Sequence, residues 1–432
     1  MVIHQKLFLL LLGLLPLQIG RHFWPEWSYV WGLRVDYLSP TIYLTDILVF
    51  LIFLFWGFED FKLKIRNCKF RLKISNRFLF FLFFLLFLLV NCLLAKNSPV
   101  AFYKFFKILE FFLLGMYVVK NIDGLELVNY GLIISVVYSS LIAIGQFIKQ
   151  SSLGGIFWWL GERTFNLATP GIAKIDIEGR LFLRPYATFS HPNSLAGFLL
   201  VSLILTFPFL IRKNKIFAIC YLILAGVSLI ITFSRSAWLG GILLLFWFIL
   251  KKVKKITLRF LLLFLLIFVL VYLIKLINFS SESFFYRWNL AKVAVQLIKQ
   301  SPLIGVGLNN FIVYLPEFWQ SSTLWLQPVH NIYLLIASEA GIIGLVFFFC
   351  FLFFTYRRVF VFSSLLLTSL NTILLLGFFD HYWLTLQQNQ LLLTIILGLI
   401  WIDKRNKIKT TNENYQSSYR RRRLRHKISS RY

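Results

Sequence analysis

His330 stands at the start of an apolar run, in QPVHNIYLLIASEAGIIGLVFFF (327–349), with Asn331 behind it and Glu339 inside the run. Arg184 and His191 lie in RLFLRPYATFSHPNSLAGF, Arg235 in TFSRSAWLGG, Arg287 in FFYRWNLA, and Asp380 and His381 in GFFDHYWL. Arginine suits phosphate, because its guanidinium is always charged and offers a planar fork of donors. Two or three arginines around a cavity could clamp a pyrophosphate. A lone arginine at a span end ordinarily snorkels to lipid phosphate instead. Histidine has an ordinary pKa near ~6.5, so a neutral imidazole can take a proton from a hydroxyl near neutral pH. His330 is the candidate base, against the plainer role of an interfacial histidine with a satisfied hydrogen bond. His191 precedes Pro192 and Asn193 and could simply fix a turn into the next span. The three histidines show no ligand spacing such as HxxxH, so no metal is expected. Asp176 and Glu178 could meet a divalent cation carried by a diphosphate, although two loop acids are ordinarily just solvated.

Glu339 lies nine residues past His330. At about 100° per residue the two fall on opposite faces of one straight helix. Glu339 is therefore expected to meet an arginine or another polar group from a different span. Gly341 and Gly344 resemble a small-xxx-small pair that admits a close helix neighbour.

These residues must be positioned by membrane helices. The chain is 59% hydrophobic with 49 phenylalanines, and only 14% of it is charged. No soluble core could hide that much apolar surface, and apolar runs of spanning length recur. The net charge of +28 falls between those runs, a topogenic pattern rather than a nucleic-acid footprint. Cys68, Cys92, Cys220 and Cys350 show no paired spacing, so neither a disulfide framework nor a zinc site is expected. The first apolar run, Leu7 to Ile19, lacks a small-residue cleavage site and is read as an uncleaved span rather than a signal peptide.

The expectation is an all-α polytopic integral membrane protein of about twelve spans. These cover roughly 5–20, 41–58, 78–95, 103–119, 128–148, 194–211, 216–233, 236–250, 259–277, 331–355, 359–379 and 389–402. With both termini cytoplasmic, the basic clusters fall on one side: Lys62 to Arg77, Arg212 to Lys215, Lys251 to Arg259, and Arg357 with Arg358. Residues 1–402 would form the membrane domain. Larger external loops would run over about 149–192 and 278–330. In the second loop Phe284, Trp288, Ala291, Val295 and Ile298 recur at helical spacing, which predicts an amphipathic helix on the membrane surface, ended by Pro302, Gly305 and Gly307. The tail from Asp403 to Tyr432 is basic and polar, and reads as a disordered cytoplasmic anchor to anionic lipid.

Four stretches together resemble the O-antigen ligase and O-antigen polymerase family of bacterial membrane glycosyltransferases. HNIYLLIASEAGIIG matches best, with His330 and Asn331, nine residues, and then Gly341-x-x-Gly344. RPYATFSHPNSLAGF resembles the family's external segment before a span, TFSRSAWLGG its Ser-Arg boundary, and SPLIGVGLNNF its Gly-x-Gly segment. All four occur in the family's order, between Arg184 and Gly344. The N-terminal half matches nothing specific, and the second external loop is modest for a ligase.

The resemblance implies a GT-C-like membrane fold and an inverting, metal-independent glycosyl transfer without a cofactor. The donor would be a glycan on undecaprenyl pyrophosphate. The acceptor would be a hydroxyl on a lipid, glycan or protein at the outer face of the bacterial cytoplasmic membrane, as in lipopolysaccharide assembly. It implies His330 as catalytic base, Arg184 and Arg235 on the pyrophosphate, and Arg287 as a weaker donor contact. His191 and Asn331 join them as candidate substrate-binding residues. Polymerisation of lipid-linked repeats and protein O-glycosylation stay open beside ligation. A transporter or flippase of the same lipid-linked glycan is the non-enzyme rival. It would be expected to show midplane charges and internal repeats, whereas here the polar groups gather on one expected face and no repeat is visible.

Overall fold

The structure, a computed structural model, describes residues 1–67, 76–254, 258, 282–318, 326–359 and 364–402. The ninth expected span, 259–277, and the basic tail 403–432 lie outside the described residues. The described chain is mostly helical. Its first eight helices are α1 (Ile3–Gly13), α2 (Leu44–Asn67), α3 (Asn76–Leu94), α4 (Ser98–Asn121), α5 (Leu125–Lys149), α6 (Pro192–Lys213), α7 (Lys215–Ile231) and α8 (Arg235–Lys252). Then come α9 (Glu282–Gln300), α10 (Phe311–Phe318), α11 (Ile332–Val359), α12 (Ser364–Gly377), α13 (Tyr382–Thr385) and α14 (Gln387–Ile400).

Among the described residues, three helices are long and apolar enough to cross a membrane by length and composition: Leu125–Lys149, Pro192–Lys213 and Ile332–Arg358. Six apolar helices are shorter. Helix α4, expected as a span, carries Lys104, Lys107 and Glu110 and falls outside both groups. Local signals set the helix starts. Asn97 accepts from Val100 N ahead of α4, and Asn214 accepts from Phe217 N ahead of α7. Arg212 and Lys213 sit in the last turn of α6, where a cation suits the helix dipole.

One large apolar core joins α1, α2, α4, α5, α6, α7, α12 and α14, with Phe198, Leu199, Trp383 and Ile395 fully enclosed. A second core joins α9, α10 and the start of α11 to the segment after α1, through Leu38, Leu290, Leu297, Phe311 and Leu335.

The expectation of an all-α chain needs correcting in the segments between helices. Three two-stranded antiparallel sheets occur among the described residues: β1 (Gly20–His22) with β4 (Thr41–Tyr43), β2 (Tyr29–Val30) with β3 (Leu33–Arg34), and β5 (Lys174–Ile177) with β6 (Arg180–Leu183). The β5–β6 hairpin follows from its turn. Glu178 and Gly179 both have positive φ (53° and 80°), which a two-residue hairpin loop requires, and Asp176 Oδ1 accepts from Gly179 N at 2.8 Å. In this structure Asp176 and Glu178 build a turn. Residues 20–43 likewise form an ordered connection that the hydropathy reading passed over.

Helix α9 forms as expected, and its two sides meet different surroundings. Tyr286, Leu290, Val293, Ala294 and Leu297 pack inward, while Phe284, Trp288 and Val295 are exposed. The helix is apolar on two sides, and periodicity alone does not say which side meets protein.

Helix α11 is broken at Gly341 (φ 64°, ψ −168°). The loop 302–307 enters the break. Val306 N donates to Ser338 O (2.9 Å) and Gly307 N to Glu339 O (3.0 Å), while Ile342 N donates to Pro302 O (2.8 Å) and Ile343 N to Leu303 O (3.2 Å). These bonds satisfy backbone groups that the break would otherwise orphan. Asn91 of α3 braces the joint, donating to Ile304 O and Glu339 O and accepting from Leu308 N. A Cβ on Gly341 would lie 2.3 Å from Leu303 O, and one on Gly305 2.4 Å from Glu339 C. The neighbour admitted by Gly341 is therefore loop backbone rather than a helix. Gly344 does face a helix, with the Phe87 ring of α3 at 3.6 Å from where its Cβ would be. Among the described residues Glu339 meets no arginine: its Oε1 accepts from Phe311 N, and the nearby charge is Lys104 of α4.

Candidate active site

The site forms where the starts of α6, α8 and α11 meet the ends of α7 and α12. His191 is the N-cap of α6, its Nδ1 accepting from Asn193 N at 3.1 Å, with Pro192 in the first turn. Asn331 is the corresponding cap of α11, its Oδ1 accepting from Tyr333 N and Leu334 N, both at 2.9 Å. Its Nδ2 donates to Phe378 O beyond α12. Phe233, at φ 50°, makes the turn between α7 and α8 that puts Arg235 at the head of α8. Three helix N-termini thus share one corner, and each carries partial positive charge.

Asp380 is the hub. His330 Nδ1 lies 3.1 Å from its Oδ1, and His381 N donates to the same oxygen at 2.9 Å. Asn193 Nδ2 donates to Oδ2 at 2.9 Å, and Arg287 Nη2 stands 3.9 Å from it. A carboxylate only accepts, so His330 Nδ1 carries the hydrogen and Nε2 keeps its lone pair. Arg184 closes the circle: Nη2 donates to Asn193 Oδ1 at 2.6 Å, and Nε to Thr232 O at 2.7 Å. Arg287 Nη1 donates to Phe379 O at 3.0 Å. Arg235 is exposed, hydrogen-bonds to no protein group among the described residues, and lies near enough for its charge to act on Arg184.

The electrostatics follow from this packing. Burial and the Arg287 charge pull His330 below the ordinary imidazole range, against the raising influence of Asp380. Burial would raise Asp380, but His330, His381 and Arg287 outweigh it and hold the carboxyl well below its usual range. Burial takes His381 down to about 3, and burial with Arg184 puts His191 well below its usual value. Burial, with Arg287 and Arg235 nearby, lowers Arg184 to about 10, which leaves it charged at neutral pH. Near pH 7 the corner holds neutral imidazoles, one carboxylate and three guanidiniums.

The structure brings together Arg184, His191, Arg235, Arg287, His330 and Asn331. Two of them, His191 and Asn331, spend their side chains on helix caps. Asp380 was visible in the sequence as an acid beside a histidine, but only the fold shows that it faces His330 across fifty residues of chain. Asn193, which ties Arg184 to Asp380, gave no signal beyond its place in HPNS. His330, Asp380 and His381 also present ligand atoms within 4.8 Å of one another. Two histidines and a carboxylate can hold a divalent transition metal, a grouping that spacing along the chain could not reveal.

Residues 220–349 match the family model described as O-antigen ligase. The match covers less than a third of the chain, and over this stretch the chain is similar to the O-antigen ligase family. No curated protein matches the chain. The O-antigen ligase stretch holds Arg235, Arg287, His330, Asn331 and the Gly341 break, whereas Arg184, His191 and Asp380 come from outside it. In general terms the match supports a membrane glycan ligase or transferase.

Proposed function

We propose that the chain transfers a glycan from undecaprenyl pyrophosphate to an acceptor hydroxyl at the outer face of the bacterial cytoplasmic membrane, as a ligase. Residues 1–402 are its multi-pass membrane domain of about twelve GT-C-like spans. Both termini, including the tail 403–432, are cytoplasmic. The observation that carries the proposal is the His330–Asp380 hydrogen bond of 3.1 Å beside Arg184, Arg235 and Arg287.

In this reading the acceptor oxygen attacks the anomeric carbon in a single inverting displacement. His330 Nε2 takes the hydroxyl proton, and Asp380 holds the ring and stabilises the imidazolium that forms. The bond to the pyrophosphate oxygen breaks, and the leaving group departs with its electron pair. Negative charge grows there during the reaction, so the three guanidiniums and the helix N-termini stabilise the transition state more than the ground state. Base and arginines account for the chemistry without a metal. His191 and Asn331 support the site by holding the heads of α6 and α11.

The test is transfer in reconstituted vesicles supplied with a polyprenyl-pyrophosphate oligosaccharide and an extract of candidate acceptors. Wild type is expected to release polyprenyl pyrophosphate, and His330→Ala to lose roughly 10²–10⁴-fold in rate. A ladder of products would mean polymerisation, and a single block transferred would mean ligation. Movement of the intact lipid-linked glycan across the vesicle, with no release, would replace the enzyme by a flippase.

A further inference from the structure

Arg184 sits on a segment whose backbone is held in an unfavourable shape. Ala187 is buried and has φ 49°, the left-handed region that a residue with a Cβ seldom adopts. Such a conformation persists only where the surroundings over-determine it, and it marks functional segments more often than plain ones.

What holds it is Gln146, near the end of α5. This side chain is fully buried and uses its whole hydrogen-bonding capacity. Its Oε1 accepts from Tyr186 N (3.0 Å) and Ala187 N (2.8 Å), and its Nε2 donates to Ala187 O (2.9 Å) and Glu162 Oε1 (2.7 Å). Glu162 is buried in turn and accepts from Leu153 N (2.7 Å) and Gly154 N (2.8 Å), so the far end of the amide is also fixed. Further pins follow along the same segment. Thr188 Oγ1 donates to Pro16 O, Gln18 Nε2 donates to Ser190 Oγ, and Arg163 Nη2 donates to Ser190 O. Every pin comes from another part of the chain, and the two ends of the pinned segment are Arg184 and His191.

We infer that Gln146 is a positioning residue that fixes Arg184, through the left-handed turn at Ala187, at the spacing from Asp380 that a pyrophosphate needs. Arg184 reaches Asp380 through a single bridge, Asn193, at 2.6 Å and 2.9 Å. A shift of the 184–187 backbone would move the guanidinium away from Arg235 and Arg287. Displacement of a binding group by about 1 Å can cost up to 10²-fold. The inference rests on the reading that Arg184 contacts the pyrophosphate.

The experiment measures retention of labelled polyprenyl pyrophosphate by the detergent-solubilised full-length protein, which needs no turnover. Gln146→Met is expected to weaken retention roughly tenfold. On an Arg184→Ala background the same change is expected to add less than about twofold, because it acts through Arg184. Gln146→Met with Ala187→Gly is expected to regain at least about half of the loss on a logarithmic scale, since glycine takes the left-handed turn without a clamp. Should Gln146→Met fail to accumulate as monodisperse protein, Gln146→Asn keeps the amide, shortens its reach and is read in the same three backgrounds. Wild-type retention by the Gln146 variants, or losses that multiply with Arg184→Ala, would overturn the inference. Wild-type protein that retains no polyprenyl pyrophosphate would instead overturn the reading of Arg184, and the positioning role with it.

Discussion

Asp380 decides the protonation chemistry of the corner. Its two oxygens are shared among His330 Nδ1, the His381 amide and Asn193 Nδ2, so the carboxylate cannot turn away from His330. The negative charge raises the affinity of His330 for a proton, while burial and Arg287 lower it. Activity should therefore fall on the acid side as pH drops through a value below the ordinary imidazole pKa of 6.5, where His330 becomes protonated and cannot act as a base. Asp380→Asn removes the raising influence. Its acid limb should move to still lower pH, and its kcat should fall by roughly 10²-fold as the imidazole loses its partner. A pH profile of transfer for both proteins checks the sign. An unmoved limb would mean that His330 is not the titrating group.

The two-histidine, one-carboxylate grouping makes a second residue-scale measurement informative. With His330 as base, treatment with a chelator should leave the transfer rate within about twofold. Loss of activity that a single divalent metal restores would reassign His330, Asp380 and His381 as ligands.

At the scale of elements, the break in α11 explains Gly305 of SPLIGVGLNNF and Gly341 of SEAGIIG. The two motifs dock on each other, each supplying the backbone partners that the other lacks. Gly341→Ala should destabilise the protein by roughly 1–3 kcal/mol from backbone conformation alone. The 2.3 Å approach to Leu303 O adds to that. Thermal unfolding in detergent is the measurement. A melting temperature equal to wild type would show that α11 can straighten. Because His330 stands at the head of the same helix, activity is expected to fall with stability in this variant.

For the whole molecule, the arrangement of helices ties a polar corner to an apolar body. The body carries its own buried charges: Lys107 Nζ lies 2.8 Å from both Asp46 Oδ1 and Glu110 Oε2, with all three side chains at most 20% exposed. Lys107→Met would leave two carboxylates without their cation, and should cost about 3–5 kcal/mol. Removing Lys96, which pairs with Glu317 at an exposed site, should change stability by no more than about 1 kcal/mol. Topology is tested by cysteines placed on a cysteine-free background. Ala168→Cys, before the β5–β6 hairpin, should react with an impermeant thiol reagent from outside the cell. Lys215→Cys, at the start of α7, should react only after the membrane is opened. The reverse result would invert the proposed orientation.

By itself the amino-acid sequence determined that the chain is a helical membrane protein, and it narrowed the site to a few ionisable residues at the ends of apolar runs. Charge is costly in lipid, so Arg184, Arg235 and Arg287 stand out against 59% hydrophobic residues without any knowledge of contacts. Tertiary structure alone decided the pairing of His330 with Asp380, the capping roles of His191 and Asn331, the outward-facing side of α9 and the loop inserted at Gly341. Hydropathy and periodicity describe one helix at a time. A hydrogen bond between residues 330 and 380, or a backbone strand threaded into a broken helix, depends on how separate helices meet, and no local pattern along the chain encodes that distance.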